Sequence, residues 1–354
     1  MNKLVVEHLK SIINFRDKLY LISSIENEGE IMKIWARWII THRSLFPQTS
    51  LFLPSDNEFD PHLIVDLIDK GISAKHACFI QEWMISEVQY INSKITWFSA
   101  DNEVGGLHSK SNSKSKSGPP VTIHEGGREI TLTCDGIETS LPSIAYNRMY
   151  QRIIKEGNYM PLNYIWYTCM LYSILDGKGF QWAVPNQVMN ILRYKIGCET
   201  ELFASPINST FKKYYSLFPY DKAFGSMGNF FTAPDQDFRS GAFQVNPPFI
   251  DCLFTLTTIR ILKLLSIADS HGEILTFVYI MPHWDKFVTY DMAIESQYCV
   301  KHINLPAYNH SYYQHITNTY IKARFGTSII FLSTNPRCCD NNTEFDIIAG
   351  FSRT

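Results

Sequence analysis

The sequence predicts a mixed α/β fold, in which a helical segment precedes a largely parallel sheet. In the first hundred residues, Leu9, Ile12 and Ile13 recur at helical spacing. From residue 201 onward, apolar strand-like runs such as ILTFVYIMP (274–282) and GTSIIFLST (326–334) alternate with helical stretches such as IDCLFTLTTIRILKLLSIAD (250–269). Strands that alternate with helices are typical of a parallel sheet whose ligand loops lie at the carboxyl ends of its strands.

The composition is that of a globular protein with a sizeable core. The chain has 354 residues, which corresponds to about two domains of ordinary size. Hydrophobic residues make up 45% and charged residues 19%, so global disorder is excluded. The 32 basic and 34 acidic residues give a net charge of -2, which excludes a polybasic nucleic-acid binder and leaves open nucleic acid held in one groove.

Cysteine and histidine spacing predict an intracellular protein without a metal. The eight cysteines form no C-x-x-C pair, and the eleven histidines include no H-E-x-x-H, so neither a disulfide framework nor a zinc site is expected. The N-terminus, MNKLVVEHLKSIINF, is charged too early and too often for a signal peptide. The longest uncharged run, 157–175, contains Pro161 and two asparagines, which favours a buried core helix over a membrane span.

The pattern divides the chain into four parts. We expect a helical domain over 1–103, a flexible loop over 104–120, a β-hairpin plus helical segment over 121–197, and the sheet-containing core over 198–354. The loop, VGGLHSKSNSKSKSGPP, has no apolar periodicity. The hairpin, VTIHEGGREITLTC (121–134), alternates about a Gly-Gly turn.

Within the core, two short apolar runs are predicted strands and the segment between them a helix. ELFAS (201–205) and GAFQV (241–245) are the strands, and STFKKYYSLF (209–218) is the helix. In the helical domain, the tryptophans at 35, 38, 83 and 97 are expected to pack helices together, because aromatic side chains dominate core burial.

The tetrapeptide Asn246-Pro247-Pro248-Phe249 carries the strongest chemical signal. It follows an apolar strand and precedes an apolar helix. One interpretation is a simple helix start, since proline is favoured at the first helical position. Two consecutive prolines, however, make the segment more rigid than a helix start requires.

That rigidity suits methyl transfer to an exocyclic amine. The lone pair of such an amine is conjugated with its ring, so the amine is a poor nucleophile. The amide oxygen of Asn246 and the carbonyl of Pro247 could accept its two N–H bonds and turn the lone pair out of the ring plane. Phe249 would stack on the base, and no strong general base is needed. The motif is typical of S-adenosylmethionine-dependent amino methyltransferases.

A second element ends a predicted strand about 40 residues earlier. It reads Leu202-Phe203-Ala204-Ser205-Pro206-Ile207-Asn208. The loop after the first strand of a Rossmann-like methyltransferase approaches the cofactor closely and is usually glycine-rich. Here Ala204 and Ser205 are the small residues, and Pro206 and Asn208 replace glycines. A small-residue turn follows many strands, so this element alone is a weak signal.

Together these elements resemble the phosphorylated-CTD-interacting-factor family, the cap-specific adenosine N6-methyltransferases of eukaryotic messenger RNA. The resemblance covers roughly 170–335 and runs through ordered blocks. They are LYSILDGKGFQWAVPNQVMNILRYKIG (171–197), ELFASPINSTFKKYYSLFP (201–219), FGSMG (224–228), GAFQVNPPF (241–249), FVYIMPHW (277–284), INLPAYNHSYY (303–313) and TSIIFLSTN (327–335).

The resemblance implies a Rossmann-like S-adenosylmethionine-dependent methyltransferase core preceded by a helical domain. It implies methyl transfer from S-adenosylmethionine to N6 of the cap-adjacent (2′-O-methyl)adenosine of mRNA. The implied catalytic residues are Asn246, Pro247, Pro248 and Phe249. The implied cofactor-binding residues are Phe203, Ala204, Ser205, Pro206, Asn208, Asp221 and Asn246. The implied substrate-binding residues are Phe249, Pro282, Trp284, His310 and Tyr312.

The implied partner is the capped 5′ end of mRNA, with neither membrane nor metal. We find no counterpart of the family's WW domain, which binds the phosphorylated polymerase tail, and so expect no such module. The resemblance implies that the protein is located in the nucleus. Without the WW domain, a location in the cytoplasm is also possible. Two alternatives stay open: an adenine N6-methyltransferase of uncapped RNA or DNA, and a catalytically silent cap-binding relative. Only an aromatic pocket for 7-methylguanine would separate cap dependence from the first alternative.

Overall fold

The computed structural model describes residues 3–45, 52–54, 60–93, 119–158, 160–175, 181–283 and 288–352. The chain folds as two compact units. The first comprises 1–178 with 218–224, and the second comprises 179–217 with 225–354. Most of the expected loop over 104–120 lies outside the described residues, so the boundaries expected for the four parts stay a prediction.

The first unit is mainly helical. Its helices are α1 (Lys3–Ser23), α2 (Glu28–Leu45), α3 (Pro61–Asp69), α4 (Ala74–Ser93), α5 (Ser143–Lys155) and α6 (Pro161–Leu175), with a 3₁₀ helix at Pro219–Phe224. Helix α6 is buried on nearly all sides, which confirms the core helix expected from the uncharged run. Within the described ranges, no helix is both long and apolar enough to cross a bilayer.

Aromatic packing joins the helices of this unit. The rings of Phe15 and Trp35 meet edge to face at 5.3 Å, and those of Phe15 and Trp83 at 5.2 Å. The indole of Trp35 also donates a 2.9 Å hydrogen bond to the backbone oxygen of Ile174 in α6. The prediction that Trp35, Trp38 and Trp83 pack helices is therefore confirmed, whereas Trp97 lies outside the described residues.

A small antiparallel sheet also belongs to the first unit. Strands β1 (Thr122–Gly126) and β2 (Glu129–Cys134) pair about a turn in which Gly127 has a φ of 70°. A third strand, β3 (Ile137–Pro142), completes the sheet on the other edge of β2. The backbone oxygen of Ile137 accepts a 3.2 Å hydrogen bond from the indole of Trp166, which ties this sheet to α6.

The second unit contains a six-stranded sheet. Its elements in chain order are β4 (Trp182–Ala183), α7 (Asn186–Ile191), β5 (Cys198–Ala204), β6 (Lys213–Ser216), β7 (Gly241–Val245), α8 (Asp251–Ser270), β8 (Leu275–His283), α9 (Val288–Ile294), β9 (Cys299–Leu305), β10 (Ser311–Gln314), β11 (Thr319–Lys322), β12 (Gly326–Ser333) and α10 (Asn341–Ser352). The order across the large sheet is β6-β5-β7-β8-β12-β9, and β4, β10 and β11 form a separate small sheet.

The large sheet is mostly parallel, which confirms the α/β prediction at that level. Strands β6, β5, β7 and β8 pair in parallel, whereas β12 runs antiparallel to both β8 and β9. The prediction of a helix over 209–218 is wrong, because residues 213–216 form β6. Tyr214 and Tyr215 are both buried there, which a strand bounded by two covered faces permits.

Both faces of the sheet carry an apolar core. Along β8, Phe277, Tyr279 and Met281 pack on one side, with α8. Val278 and Ile280 alternate with them and pack on the other side, with α7 and α10. This period of two is the strand repeat, and a strand covered on both faces reads as a continuous apolar run.

The strand order reverses between β5 and β7. The chain passes from β5 to β6 on one side and then returns to place β7 on the other side of β5. Such a reversal opens a crevice beyond the carboxyl ends of the two strands, where ligands bind in open α/β sheets.

Candidate functional site

The two sequence motifs lie at this crevice. Ala204 is the last residue of β5, and Ser205 begins the loop that follows. Val245 is the last residue of β7, and Asn246 follows it directly. Because β5 and β7 pair in parallel, their carboxyl ends lie at the same edge of the sheet. The fold therefore brings together two motifs that are about 40 residues apart in the chain.

The two prolines lie in a loop and not in a helix. Helix α8 begins at Asp251, after an extended Ile250, so Pro247 and Pro248 precede the first helical turn. The backbone N–H of Ile250 donates a 2.7 Å hydrogen bond to the oxygen of Pro248, which closes a tight turn. The helix-start interpretation of the prolines is therefore wrong, and their fixed φ angles stiffen the strand-to-helix loop.

The amide of Asn246 has a defined orientation. Its Nδ2 lies 3.5 Å from the backbone oxygen of Trp182, a long hydrogen bond. A carbonyl oxygen can only accept, so the NH₂ end of the amide faces Trp182 and Oδ1 faces away. Oδ1 is buried, and none of the described residues donates a hydrogen bond to it. A buried acceptor without a partner costs free energy, which makes this oxygen a candidate for a ligand N–H.

Phe249 belongs to a cluster of four aromatic rings at this site, with Trp182, Tyr312 and Phe325. Phe249 meets Phe325 edge to face at 5.4 Å and Tyr312 edge to face at 6.0 Å. The ring of Trp182 stacks on Tyr312 at 6.0 Å and on Phe325 at 6.4 Å. Trp182, Phe249 and Phe325 are each half-buried, whereas Tyr312 is fully buried. Half-buried aromatic faces are the surfaces on which bases stack.

Hydrogen bonds within the loop after β5 fix its shape. Oδ1 of Asn208 accepts from the backbone N–H of Ser205 at 2.7 Å and from its hydroxyl at 3.1 Å. The Ser205 hydroxyl also lies 2.9 Å from Oε1 of Gln181, and the backbone N–H of Ser209 donates to the Ser205 oxygen at 3.0 Å. These contacts engage the polar side chains of Ser205 and Asn208, both of which are buried.

A buried carboxylate binds the backbone at the far end of the same loop. Glu201 on β5 is 5% exposed, and its Oε1 accepts from the backbone N–H groups of Thr210 and Phe211, each at 2.6 Å. Hydrogen bonds to a charged acceptor are short and strong. Glu201 therefore holds the far end of the loop against the strand from which the loop starts.

His310 and Tyr312 are part of a buried chain of hydrogen bonds. Nδ1 of His310 lies 3.0 Å from the oxygen of Pro306, which can only accept, so Nδ1 carries the proton. Nε2 then accepts from the Thr327 hydroxyl at 2.7 Å, and the Tyr312 hydroxyl donates to that of Thr327 at 2.9 Å. Burial lowers the pKa of His310, in opposition to its bond to Pro306, and raises the pKa of Tyr312.

The other predicted site residues are spread more widely. Pro282 is buried near the carboxyl end of β8, opposite Thr327 on β12. Trp284 lies outside the described residues. Asp221 belongs to the first unit, where it is buried in the 3₁₀ helix and accepts a 2.6 Å hydrogen bond from the Tyr172 hydroxyl. Its assignment to the cofactor stays a prediction.

Sequence reasoning did not single out Trp182 and Phe325. Trp182 stands in FQWAVP, within a block that carried the resemblance, and Phe325 immediately precedes β12. The only available signal was an aromatic residue next to a strand end.

In the part of the chain that the structure describes, no group of three or more His, Cys, Asp or Glu residues is placed to hold a metal ion.

Comparison with known proteins identifies similar sequences over the same region. A family model described as "Phosphorylated CTD interacting factor 1 WW domain" matches residues 145–315. A mouse (Mus musculus) protein named mRNA (2'-O-methyladenosine-N(6)-)-methyltransferase is 34% identical over 175 residues, and a human (Homo sapiens) protein of the same name is 33% identical over 175 residues. Each alignment covers 46% of this chain and 24% of the relative, so the match spans about a quarter of the length of these relatives.

The family match corrects one expectation. The WW domain was expected to have no counterpart here, and with it a polymerase-tail-binding module was expected to be missing. Both statements are wrong, because the matching model carries the WW description. The expectation was that no part of the 354 residues corresponds to this domain, whereas the model matches residues 145–315, from α5 to β10. The argument for a cytoplasmic location was the missing WW domain, so that argument no longer holds. Nuclear location stays a prediction. Over 145–315 this chain is therefore similar to the family described as phosphorylated CTD interacting factor 1.

Proposed function

We propose that this chain is an S-adenosylmethionine-dependent methyltransferase that acts on N6 of the cap-adjacent 2′-O-methyladenosine of mRNA. The observation that carries the proposal is the buried Oδ1 of Asn246 at the crevice between β5 and β7, to which none of the described residues donates a hydrogen bond. The two relatives are named as methyltransferases of the N6 position of 2′-O-methyladenosine in mRNA, which supports the same reaction and substrate here.

The sheet supports a Rossmann-like methyltransferase core. Its order, β6-β5-β7-β8-β12-β9, places the crevice at a strand-order reversal, and five strands share one direction while β12 opposes them. That order and the position of the loop after β5 support the proposed fold, because dinucleotide and nucleoside ligands bind at this place in related sheets.

The residues present fit a nucleoside cofactor at the β5 side of the crevice. No described residue donates a hydrogen bond to the buried oxygen of Asn246, and S-adenosylmethionine and adenine both carry N–H donors that it could accept. The residues that would hold the cofactor are Phe203, Ala204, Ser205, Pro206, Asn208 and Asn246. When bound, S-adenosylmethionine supplies an electrophilic methyl group next to its positive sulfur.

The protein's own residues prepare the acceptor amine. Oδ1 of Asn246 and the backbone oxygen of Pro247 would accept the two N6 hydrogens, which favours a pyramidal nitrogen whose lone pair is no longer conjugated with the ring. The prolines hold both acceptors in place before substrate binds, so no rearrangement is needed at the moment of reaction. Phe249 offers its half-buried ring as the stacking surface. The proton that leaves N6 passes to water, since no strong base is required.

Methyl transfer to matched nucleic acids tests this function. Full-length protein with labelled S-adenosylmethionine would receive three substrates: RNA that begins with a 7-methylguanosine cap and 2′-O-methyladenosine, the same RNA with a bare 5′ adenosine, and the matching single-stranded DNA. Digestion and mass spectrometry would locate the methyl group. We expect transfer to N6 on the capped RNA only.

The other outcomes contradict the proposal in distinct ways. Equal transfer to both RNAs would indicate an adenine methyltransferase without cap dependence, and transfer to DNA would change the substrate class. No transfer despite bound cofactor would indicate a silent relative.

Asn342→Ala, at an exposed position in α10, is the control for substitutions of Asn246.

A further inference from the structure

A surface cleft in the second unit lies beside the β10–β11 hairpin, and His310 is the one lining residue that also belongs to the implied substrate-binding set. The cleft has a volume of about 560 Å³ and is lined by Tyr308, Asn309, His310, Ser311, Tyr320, Lys322 and Ser352. Ligand pockets for small molecules and nucleotides usually measure about 300–1,000 Å³. The lining residues include one lysine, Lys322, and no carboxylate, so their charge favours an anion over a cation.

The hairpin register places the polar and aromatic groups of the cleft on one face. Ser311 pairs with Lys322, whereas Tyr312 pairs with Ile321 on the opposite face. Because successive side chains of a strand point to opposite faces, Tyr320 and Lys322 share the face that Tyr312 does not. The hairpin therefore contacts Phe249 through one face and borders the cleft with the other.

Two tyrosine rings are exposed at the cleft. Tyr308 is 58% exposed and Tyr320 is 46% exposed, which leaves much of both phenol rings in contact with solvent. Tyr308 has a φ of 64°, a left-handed conformation that is rare for a bulky residue. Such conformations persist only where the surroundings impose them, and they concentrate at ligand sites.

The surroundings of Tyr308 impose that conformation through backbone contacts. Its N–H donates to the Ala323 oxygen at 2.8 Å, and the N–H of Ala323 donates to the His310 oxygen at 3.0 Å. His310 in turn is fixed by its bonds to Pro306 and Thr327. The exposed ring of Tyr308 thus projects from a segment that is held at several points.

Lys322 supplies the charge of the cleft. It is exposed, and among the described residues no ion pair involves it, in contrast to Lys195, Lys263 and Lys301, which each pair with a carboxylate. An ammonium beside exposed aromatic rings is the combination that binds single-stranded nucleic acid, in which the phosphate meets the cation and the base stacks on a ring.

We propose that this cleft binds a nucleotide of the substrate RNA outside the methylated adenosine, with its base on Tyr320 or Tyr308 and its phosphate on Lys322. This inference rests on the proposed function for its choice of ligand. The chain of hydrogen bonds from Tyr312 through Thr327 to His310 connects the wall of the reacting site with the segment that presents Tyr308.

RNA binding without methyl transfer provides the test. Fluorescence anisotropy with the full chain would compare a capped trinucleotide with a capped 12-nucleotide single strand, each at several salt concentrations. We expect the wild type to bind the longer RNA at least tenfold more tightly. Tyr320→Ala should weaken binding of the longer RNA by about five- to tenfold, since one stacked base is lost. Lys322→Gln should weaken it about threefold and reduce the salt slope by roughly one ion.

Matched surface variants distinguish the cleft from general charge and aromatic effects. Lys155→Gln removes an exposed lysine of the first unit, and Tyr194→Ala removes a tyrosine that is 78% exposed and does not line the cleft. Equal weakening by these controls, or unchanged binding in Tyr320→Ala and Lys322→Gln, would overturn the proposal. Binding of uridine monophosphate with no preference for longer RNA would identify a mononucleotide site and overturn it too.

Failure of the proposed function would give a different result. A wild type that transfers no methyl group to any nucleic acid would contradict the reaction, whereas the anisotropy measurement contains no catalytic step. Loss of the length preference in the variants would still support the cleft as an RNA site. The thermal midpoint of each variant would be measured as well, and because Tyr320 and Lys322 are exposed, it should stay close to that of the wild type.

Discussion

The side-chain nitrogen of Asn246 lies 3.5 Å from the backbone oxygen of Trp182. Trp182 belongs to β4, which pairs with β10 through Gln314 and Tyr313. The amide that we assign to the substrate is thus oriented by the small sheet, although it stands at the end of a strand of the large one. This arrangement leaves its oxygen free of any described donor and ready to accept an amine.

Asn246→Ala should abolish most methyl transfer. Removing one preorganised hydrogen-bonding group from a reacting centre costs roughly 100- to 1,000-fold in kcat. Because Oδ1 has no partner among the described residues and the bond from Nδ2 to Trp182 is long at 3.5 Å, the thermal midpoint should change little. Turnover with labelled S-adenosylmethionine measures the first effect and thermal unfolding the second. Asn246→Asp keeps an acceptor oxygen and should retain part of the activity, whereas undiminished turnover in Asn246→Ala would contradict the catalytic assignment.

Phe249→Ala should weaken substrate binding through loss of base stacking. One stacked base contributes about 1–3 kcal/mol, so we expect KM for the RNA to rise by about fivefold or more. Phe249→Tyr preserves the ring and should behave nearly as the wild type. Steady-state kinetics with RNA as the varied substrate separates KM from kcat. A change in kcat alone, with KM unaltered in Phe249→Ala, would show that the ring does not stack on the substrate.

Glu201→Gln should loosen the loop after β5. The carboxylate accepts two backbone N–H bonds, and a neutral amide oxygen accepts them less strongly. We expect the affinity for S-adenosylmethionine to fall severalfold and the free energy of unfolding to fall by about 1–2 kcal/mol. Calorimetric titration and urea unfolding measure these effects. Glu199→Gln, at an exposed position on the same strand, is the control, and equal losses in both variants would exclude a specific role for Glu201.

Acid should destabilise the first unit through His8. Burial lowers the pKa of His8 from 6.5 to about 4, so its neutral form contributes stability above pH 6.5, and that contribution is lost as the pH falls toward 4. Between pH 7 and pH 5 the loss is about 2 kcal/mol. Urea unfolding at both pH values should show a smaller loss in His8→Leu. His62→Leu, at an exposed position, is the control. If the pH dependence of His8→Leu equals that of the wild type, His8 is not the cause of the acid destabilisation.

Local sequence was sufficient to predict the motif positions and the parallel character of the sheet. Asn246 follows a short apolar strand, and such a strand between helical stretches predicts a ligand loop at its carboxyl end. Helix α6 was likewise predictable from an uncharged run too polar for a membrane span.

The misses have physical causes. Strand β6 is only four residues long, and three of the four are buried, so it shows neither a period of two nor a helical period. Trp182 meets Tyr312, and Phe325 meets Phe249, only through tertiary contacts between distant segments, which local patterns do not encode. The lack of a described donor for Oδ1 of Asn246 also depends on tertiary contacts, and so could not be predicted from local sequence.

The position of β12 between β8 and β9 has a consequence for synthesis of the chain. On the ribosome, β8 and β9 emerge first, yet neither can complete its pairing until residues 326–333 follow. Until then the nascent chain presents the edge of an almost wholly apolar strand, LTFVYIMPH. Such an edge invites pairing with other chains, so chaperone binding during translation should protect this segment more than any other of the large sheet.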